Sequence, residues 1–328
     1  MDHQLAIVIP AYKADFFEAT LISIAAQTDK RFVLYIGDDA SNDDLAGIVA
    51  RFRSEISIVY HRFGENVGGR DLVAHWERCI GLTADEEWVW LFSDDDTMDT
   101  GCVAAFYDFI ERGVASGVDL LHFDLEVVDG SGQRIWPVRK FPLHLKSAAF
   151  FAARVRSEIH STVVEFIFRR SKWQHEGGFE RFDLAWFTDD ATWTKLSRHG
   201  GIHTIPGPRV YWRYSGQNIS SLHASRDVVD RKVQSGLDFM AWVQNYFEQY
   251  GLVDSTSSVE KATYLMGVPL SSTALSWKEK LGYAQFISRQ LGMFVFGRVR
   301  VMLYVYIFGL RQLVRNWLNG SSSDDVGS

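Results

Sequence analysis

Trp88 to Asp99 reads W-V-W-L-F-S-D-D-D-T-M-D: five apolar residues run almost directly into three consecutive carboxylates, Asp94, Asp95 and Asp96. An apolar run this rich in Trp, Val and Phe predicts a strand buried on both faces. The acids then fall at the C-terminal end of that strand, the edge at which open α/β sheets bind ligands. Three adjacent carboxylates repel one another and lose hydration there, so a bound cation is the natural compensation. Mg²⁺-type ions usually take one or two protein carboxylates together with substrate phosphates, so a diphosphate ligand fits. The competing reading is that these Asp residues end the strand and cap the helix after it.

The pattern repeats on either side. Leu5–Ile9 is a β-branched run stopped by Pro10, and residues 14–27 carry an apolar stripe at Phe17, Leu21, Ile24 and Ala25, the spacing of a helix. Residues 31–36 predict a second strand ended by G-D-D-A-S-N-D-D, residues 45–52 a helix and residues 56–60 a third strand. A loop at Gly64–Gly69 precedes a helical stretch to Ile80, and after the acidic triplet a helix is expected over 100–112, closed by Gly113. Such alternation predicts a mostly parallel sheet flanked by helices, with its acidic and Gly-rich loops gathered at one edge. Beyond Gly113 the pattern loosens. Strands are expected at 119–128, 163–168 and 210–214, and helices at 186–198 and 225–250, with Ser255–Ser258 as a linker.

The composition excludes several classes. Among 328 residues, 47% are hydrophobic and 14% aromatic, enough for a large core, and the net charge of −7 argues against a general nucleic-acid binder. Two cysteines, Cys79 and Cys102, give neither a disulfide framework nor a zinc set. The N-terminus M-D-H-Q-L lacks a basic region followed by an apolar core, so a cytoplasmic protein is expected. There is no P-loop, nucleophile elbow or H-E-x-x-H motif.

Residues 281–318 differ in character, combining many aromatic and aliphatic residues with charges that are all positive: Arg289, Arg298, Arg300, Arg311 and Arg315. The uninterrupted apolar part, Val301–Leu310, is too short to span a bilayer. It suits a helix lying in the interface of an anionic membrane, or packed on the rest of the chain or a second subunit.

Four motifs share one explanation: I-V-I-P-A-Y (Ile7–Tyr12), I-G-D-D-A-S-N-D (Ile36–Asp43), E-N-V-G-G (Glu65–Gly69) and L-F-S-D-D-D (Leu91–Asp96). In this order and spacing they resemble the family-two glycosyltransferases, inverting enzymes of the GT-A fold. The resemblance covers roughly residues 5–215 and implies an α/β GT-A sheet with a helical C-terminal extension. The expected division is 1–220 for nucleotide-sugar binding and catalysis, 221–319 for the helical region and 320–328 for a disordered tail.

What the resemblance implies can be stated residue by residue. Pro10, Ala11 and Tyr12 match the loop lying against the nucleotide base. Asp39, with Asp38 beside it, matches the acid that accepts a hydrogen bond from a uracil or thymine ring. Asn66, Gly68 and Gly69 match a loop at the sugar diphosphate, with Arg70 as a candidate phosphate partner. The family's metal motif is Asp-x-Asp, and Ser93 replaces its first acid, so Mn²⁺ or Mg²⁺ is expected on Asp95 and Asp96, with Asp94 at the donor. After Gly177-Gly-Phe179, the run F-T-D-D places Asp190 where the family has its general base and Asp189 where it has the preceding Glu. Arg213, in Y-W-R-Y-S-G-Q-N, is the candidate diphosphate contact, and Ser215 stands where many relatives have His. A Gln-x-x-Arg-Trp motif is absent from the sequence, so single-sugar transfer is expected over polymerisation. The expected partners are a UDP- or dTDP-sugar donor and a glycan or lipid-linked acceptor, at the inner face of the cell membrane. The alternatives are a non-catalytic sugar- or nucleotide-binding protein of this fold, or a sugar nucleotidyltransferase, which normally has a basic Gly-rich loop that Pro10–Lys13 lacks.

Overall fold

The computed structural model describes residues 4–113, 117–214, 216 and 225–321, with side chains to residue 311. It divides into two compact units, Met1–Ser221 with Phe247–Asp254, and Leu222–Tyr246 with Ser255–Ser328.

In the first unit, β1 (Leu5–Ala11), β2 (Phe32–Asp38), β3 (Ile58–Arg62) and β4 (Trp88–Leu91) form a parallel set in the spatial order β3-β2-β1-β4. The helices α1 (Phe17–Ala25), α2 (Leu45–Ala50) and α3 (Leu72–Ile80) join them. Strand periodicity divides the core in two. Leu5, Ile7 and Ile9 of β1 pack with Phe17, Leu21 and Ile24, whereas Ala6 and Val8 pack with Val73, Cys79 and Ile80 on the other face. Both faces of β4 are buried likewise, Trp88 and Trp90 on one side, Val89 and Leu91 on the other.

Past β4 the sheet becomes mixed. A two-residue strand, β5 (Thr97–Met98), precedes α4 (Cys102–Glu111), and β6 (Leu120–Val128) follows. The short strands β7 (Arg134–Trp136) and β8 (His144–Leu145) hang on the far side. Between β4 and β6 lies β9 (Phe166–Arg169), antiparallel to both, so the parallel run is interrupted where the sequence predicted only another strand. The last strand, β10 (Ile202–Arg213), joins stretches that the sequence divides at a Pro-rich turn. Its register along β6 jumps from Ile205 to Arg209, and Pro206-Gly-Pro208 bulges out. Between these strands, α5 (Ser147–Val155) and α6 (Arg170–His175) precede α7 (Thr188–Leu196).

The second unit is helical: α8 (Arg226–Tyr250, its last turn belonging to the first unit), α9 (Ser258–Leu265), α10 (Gly267–Ser271), α11 (Trp277–Gln290) and α12 (Val295–Ser321). Capping boxes start α9 at Ser257–Glu260 and α11 at Ser276–Glu279. Gly292, at φ 63°, lies between α11 and α12. Residues 322–328 of the expected tail, and Ser215, Gln217 and Asn218 of the Y-W-R-Y-S-G-Q-N motif, lie outside the described residues.

Trp90 is the keystone of the strand junction. Its ring is fully buried and stacks on Phe123 of β6 at 5.2 Å, and its Nε1 donates to the Val164 carbonyl at 2.7 Å. Replacing it with Ala removes the packing and leaves that carbonyl without its donor. Trp90→Ala should therefore lower unfolding free energy by about 3–5 kcal/mol, read from denaturant midpoints at unchanged m-value.

Candidate active site

The acidic triplet leaves β4 and each carboxylate has a separate task. Asp94 Oδ2 accepts the amides of Tyr12 at 2.8 Å and Lys13 at 3.0 Å, tying the loop after β1 to the end of β4. Asp95 Oδ1 accepts the Ser93 hydroxyl at 2.5 Å, so the serine in place of the family's first acid holds the next one. Asp96 is buried and accepts the Arg213 amide at 2.7 Å, while its own carbonyl receives the Thr20 hydroxyl at 2.7 Å. Burial, and then the neighbouring Asp95 charge, push Asp94 up to about 6 and Asp96 well above the usual carboxylate range. Asp95 is raised as well, by burial.

At the end of β2, Asp38 is fully buried beneath the loop, accepting the Ser41 amide at 2.8 Å, the Tyr60 hydroxyl at 2.5 Å and Arg62 Nη1 at 2.8 Å. Asp39 accepts the amides of Val67 and Gly68, each at 2.8 Å, and pairs with Arg78. Asp39 thus fastens the Glu65–Gly69 loop to the sheet. The fastening requires glycine: a Cβ on Gly68 would stand 2.7 Å from Asp39 Oδ2. Asn66 Oδ1 accepts the Gly69 amide at 2.8 Å, closing the turn. Arg78, which sequence reasoning passed over, lies 3.8 Å over the Phe63 ring and donates to the Glu65 carbonyl at 3.1 Å.

The two candidate phosphate-binding arginines differ sharply. Arg70 is exposed and pairs with the exposed Glu65 at 3.0 Å. Arg213 is buried, with Nε donating to the Asp95 carbonyl at 2.8 Å and Nη1 to the carbonyls of Asp129 and Gly130 at 2.9 and 3.1 Å. Its guanidinium staples the acidic triplet to the turn after β6. Tyr12 and Arg70 are exposed at this edge, whereas Pro10 and Ala11 belong to β1, opposite Gly37 and Asp38.

The Asp189–Asp190 pair opens α7 after a strained approach: Leu184, Ala185 and Phe187 all have left-handed φ, at 59°, 52° and 73°. Such residues cost on the order of 1–3 kcal/mol each and persist where surrounding structure holds them. Here Lys195 of α7 reaches back to the carbonyls of Glu176 and Gly178, both at 3.1 Å, fixing the Gly177-Gly178 turn to the helix. Asp190 is buried in a two-point pair with Arg154 of α5, at 2.6 and 3.0 Å. Asp189 is only partly buried, and desolvation together with the Asp190 charge pushes it up to about 7.

Glu165, read from sequence as part of a strand, is a buried acid near both acidic groups. It is fully buried at the start of β9 and accepts the Thr162 amide at 2.6 Å and the Thr162 hydroxyl. Burial pushes it up to about 7, and its charge raises both Asp96 and Asp189. Nearby, buried atoms of His160 (Nε2) and Ser161 (Oγ) have no hydrogen-bond partner among the described residues. Burial and Arg154 push His160 down to about 4, so its ring is neutral at pH 7. Its ring centroid lies 5.6 Å from that of Trp212. Trp193 of α7 is fully buried against Phe166 and belongs to the core.

The donor set suits a hard divalent cation. Asp95 and Asp96 offer carboxylate oxygens, each with one oxygen committed to the protein, at a place where negative charge is already disfavoured. Among the described residues no three His, Cys, Asp or Glu side chains converge to hold a metal.

Comparison with known proteins accords with this arrangement. No curated protein sequence matches the chain. Residues 1–349 of TarS from S. aureus, solved in complex with UDP-GlcNAc, superpose with a TM-score of 0.60 at 14% identity, covering 94% of this chain and 92% of that one. The mannosyltransferase PcManGT of Pyrobaculum calidifontis, in complex with GDP-Man and Mn²⁺, gives 0.50 at 14% identity, with 94% and 87% covered. At these identities the likeness is one of fold. The glycosyl transferase family 2 model matches residues 6–171, half of the chain and all of the strands and loops from β1 to the start of α6. The protein belongs to glycosyl transferase family 2 and has the GT-A fold.

Proposed function

We propose that this glycosyltransferase moves a single sugar, with inversion, from a UDP- or dTDP-sugar to a hydroxyl of a glycan or lipid-linked acceptor in the synthesis of a cell-surface polysaccharide such as O-antigen. The observation that carries the reading is the arrangement of strand-end acids: Asp94 and Asp96 leave β4 fastened to the loop after β1 and to the end of β10, and a buried Asp190 opens α7 in a two-point pair with Arg154. Structural neighbours solved with UDP-GlcNAc and with GDP-Man and Mn²⁺ support a nucleotide-sugar donor.

On the donor side, the loop after β1, the Asp39–Arg78 pair and the Asn66–Gly69 turn form the nucleotide end. Asp38 and Asp39 act there chiefly by holding these loops, and the exposed Arg70 is available to the diphosphate. Arg213 acts from behind, keeping Asp95 and Asp96 in place. Asp95 and Asp96 would hold Mn²⁺ or Mg²⁺, which when bound neutralises charge on the departing diphosphate. At the acceptor, the hydroxyl proton passes to the Asp189–Asp190 pair as its oxygen bonds to the anomeric carbon. The bond from that carbon to the diphosphate oxygen breaks, and the electron pair leaves with the diphosphate. Arg154 orients Asp190 through its two-point pair, with Asp189 beside it. The unpartnered His160 Nε2 and Ser161 Oγ are suited to a second acceptor hydroxyl.

Calorimetric titration with UDP, dTDP and GDP, each with and without Mn²⁺, checks the donor assignment. One uracil or thymine nucleotide should bind more tightly with the metal, and Asp95→Ala should abolish that difference. Absence of binding by all three would remove the donor assignment. For the base, Asp190→Asn should lower turnover by about 10²–10⁴-fold while leaving nucleotide affinity within a few-fold. Undiminished turnover would place the base elsewhere. The proton acceptor works as a carboxylate, so activity should rise with pH as the pair loses its proton, with a half-maximum near the value of about 7 to which Asp189 is raised. A profile flat from about pH 5 to 8 would contradict the assignment.

A further inference from the structure

The helix α12 turns its more apolar face away from its own unit. Its inner face is closed: Val301 and Val305 are fully buried, and the helix packs on α9 and α11. The fit is tight enough that a Cβ on Gly309 would stand 2.0 Å from the Trp277 ring of α11. Arg298, also facing inward, donates to the Met293 carbonyl at 2.8 Å.

Phe296, Val299, Leu303, Tyr306, Ile307 and Leu310 all remain exposed, Phe296 at 88%. At about 100° per residue these six fall within roughly a third of the helix circumference, a continuous stripe. The exposed Arg300 and Arg311 follow along one edge of it. A patch of this size on a folded unit marks an interaction surface.

The charge pattern selects the partner. Residues 281–318 carry five arginines and no acid. A second copy laid on this stripe would bring one basic edge toward another with no carboxylate of the segment to pair with. An anionic lipid surface meets both features, because its headgroups accept the arginines while the stripe enters the headgroup–acyl boundary. No described helix is long and apolar enough to cross a membrane, so α12 would lie along the surface.

We propose that the outward face of α12 docks the protein on anionic phospholipid, through the stripe centred on Leu303 and Ile307 and the edge formed by Arg300 and Arg311. This surface goes beyond the transferase reading and does not depend on it.

The test is flotation of the full chain with phosphatidylcholine vesicles, with and without phosphatidylglycerol, at low and high salt. Partition should be about tenfold or more higher on the phosphatidylglycerol vesicles and should fall as salt rises. Two paired variants, each first checked for an unchanged thermal melt, divide the surface. Leu303→Ser with Ile307→Ser should abolish flotation, and Arg300→Glu with Arg311→Glu should remove the preference for anionic lipid. Both pairs replace exposed side chains, and either one suffices should the other fail to fold. Three results would overturn the proposal: no flotation with either vesicle, equal flotation with both, or a dimer in solution that the serine pair dissociates while vesicles capture nothing.

Discussion

The Asp94 carboxylate, receiving the amides of Tyr12 and Lys13, is the constraint from which the ligand-binding edge is built. A parallel sheet ends its strands side by side, and the loops that leave them carry backbone amides with no ladder to join. Three strand-end carboxylates answer this need: Asp94 for the loop after β1, Asp39 for the Glu65–Gly69 loop, and Asp96 for the end of β10. A charged acceptor makes a stronger bond to an amide than a neutral one, but only if its own desolvation is offset. The raised values of Asp94 and Asp96 show that the offset is incomplete. The edge is mechanically fixed and electrostatically short of positive charge, which is the state that suits a cation-bearing diphosphate.

The same tension recurs at α7. Arg154 pairs with Asp190, while burial and the Asp190 charge push Asp189 up to about 7. Holding two carboxylates this close requires rigid backbone, and the left-handed residues Leu184, Ala185 and Phe187 supply the abrupt entry that aims them. Lys195 then pins the preceding glycine turn from within the same helix.

Much of this was legible in the sequence where local chemistry and tertiary role coincide. The β-branched runs of β1 to β4, the apolar stripes of the helices between them and the acids at the strand ends all follow from short-range pattern. The mixed half was not, because its order depends on long-range pairing: nothing in V-V-E-F-I-F says that it enters between β4 and β6 against their direction. The helix α5 escaped for a different reason. Its segment S-A-A-F-F-A-A-R-V has no side-chain cap, and its apolar residues are nearly continuous, so periodicity does not mark it. With α5 went Arg154, the partner of Asp190. Arg213 was singled out from its motif, yet sequence gives no sign that three backbone carbonyls claim its guanidinium.

Strand direction also explains Glu165. The parallel strands present their C-terminal ends to the ligand edge, so an antiparallel strand inserted among them must present its N-terminal end there. In β9 the register sets Ile167 opposite Trp90 and Phe166 opposite His122, which brings Glu165 level with the residues just past β4. Its carbonyl accepts the Phe123 amide at 2.9 Å, fixing it from the β6 side. A glutamate that reads from sequence as a polar interruption of a buried strand is thereby brought to the ligand-binding edge of the sheet, where burial pushes its carboxyl up to about 7.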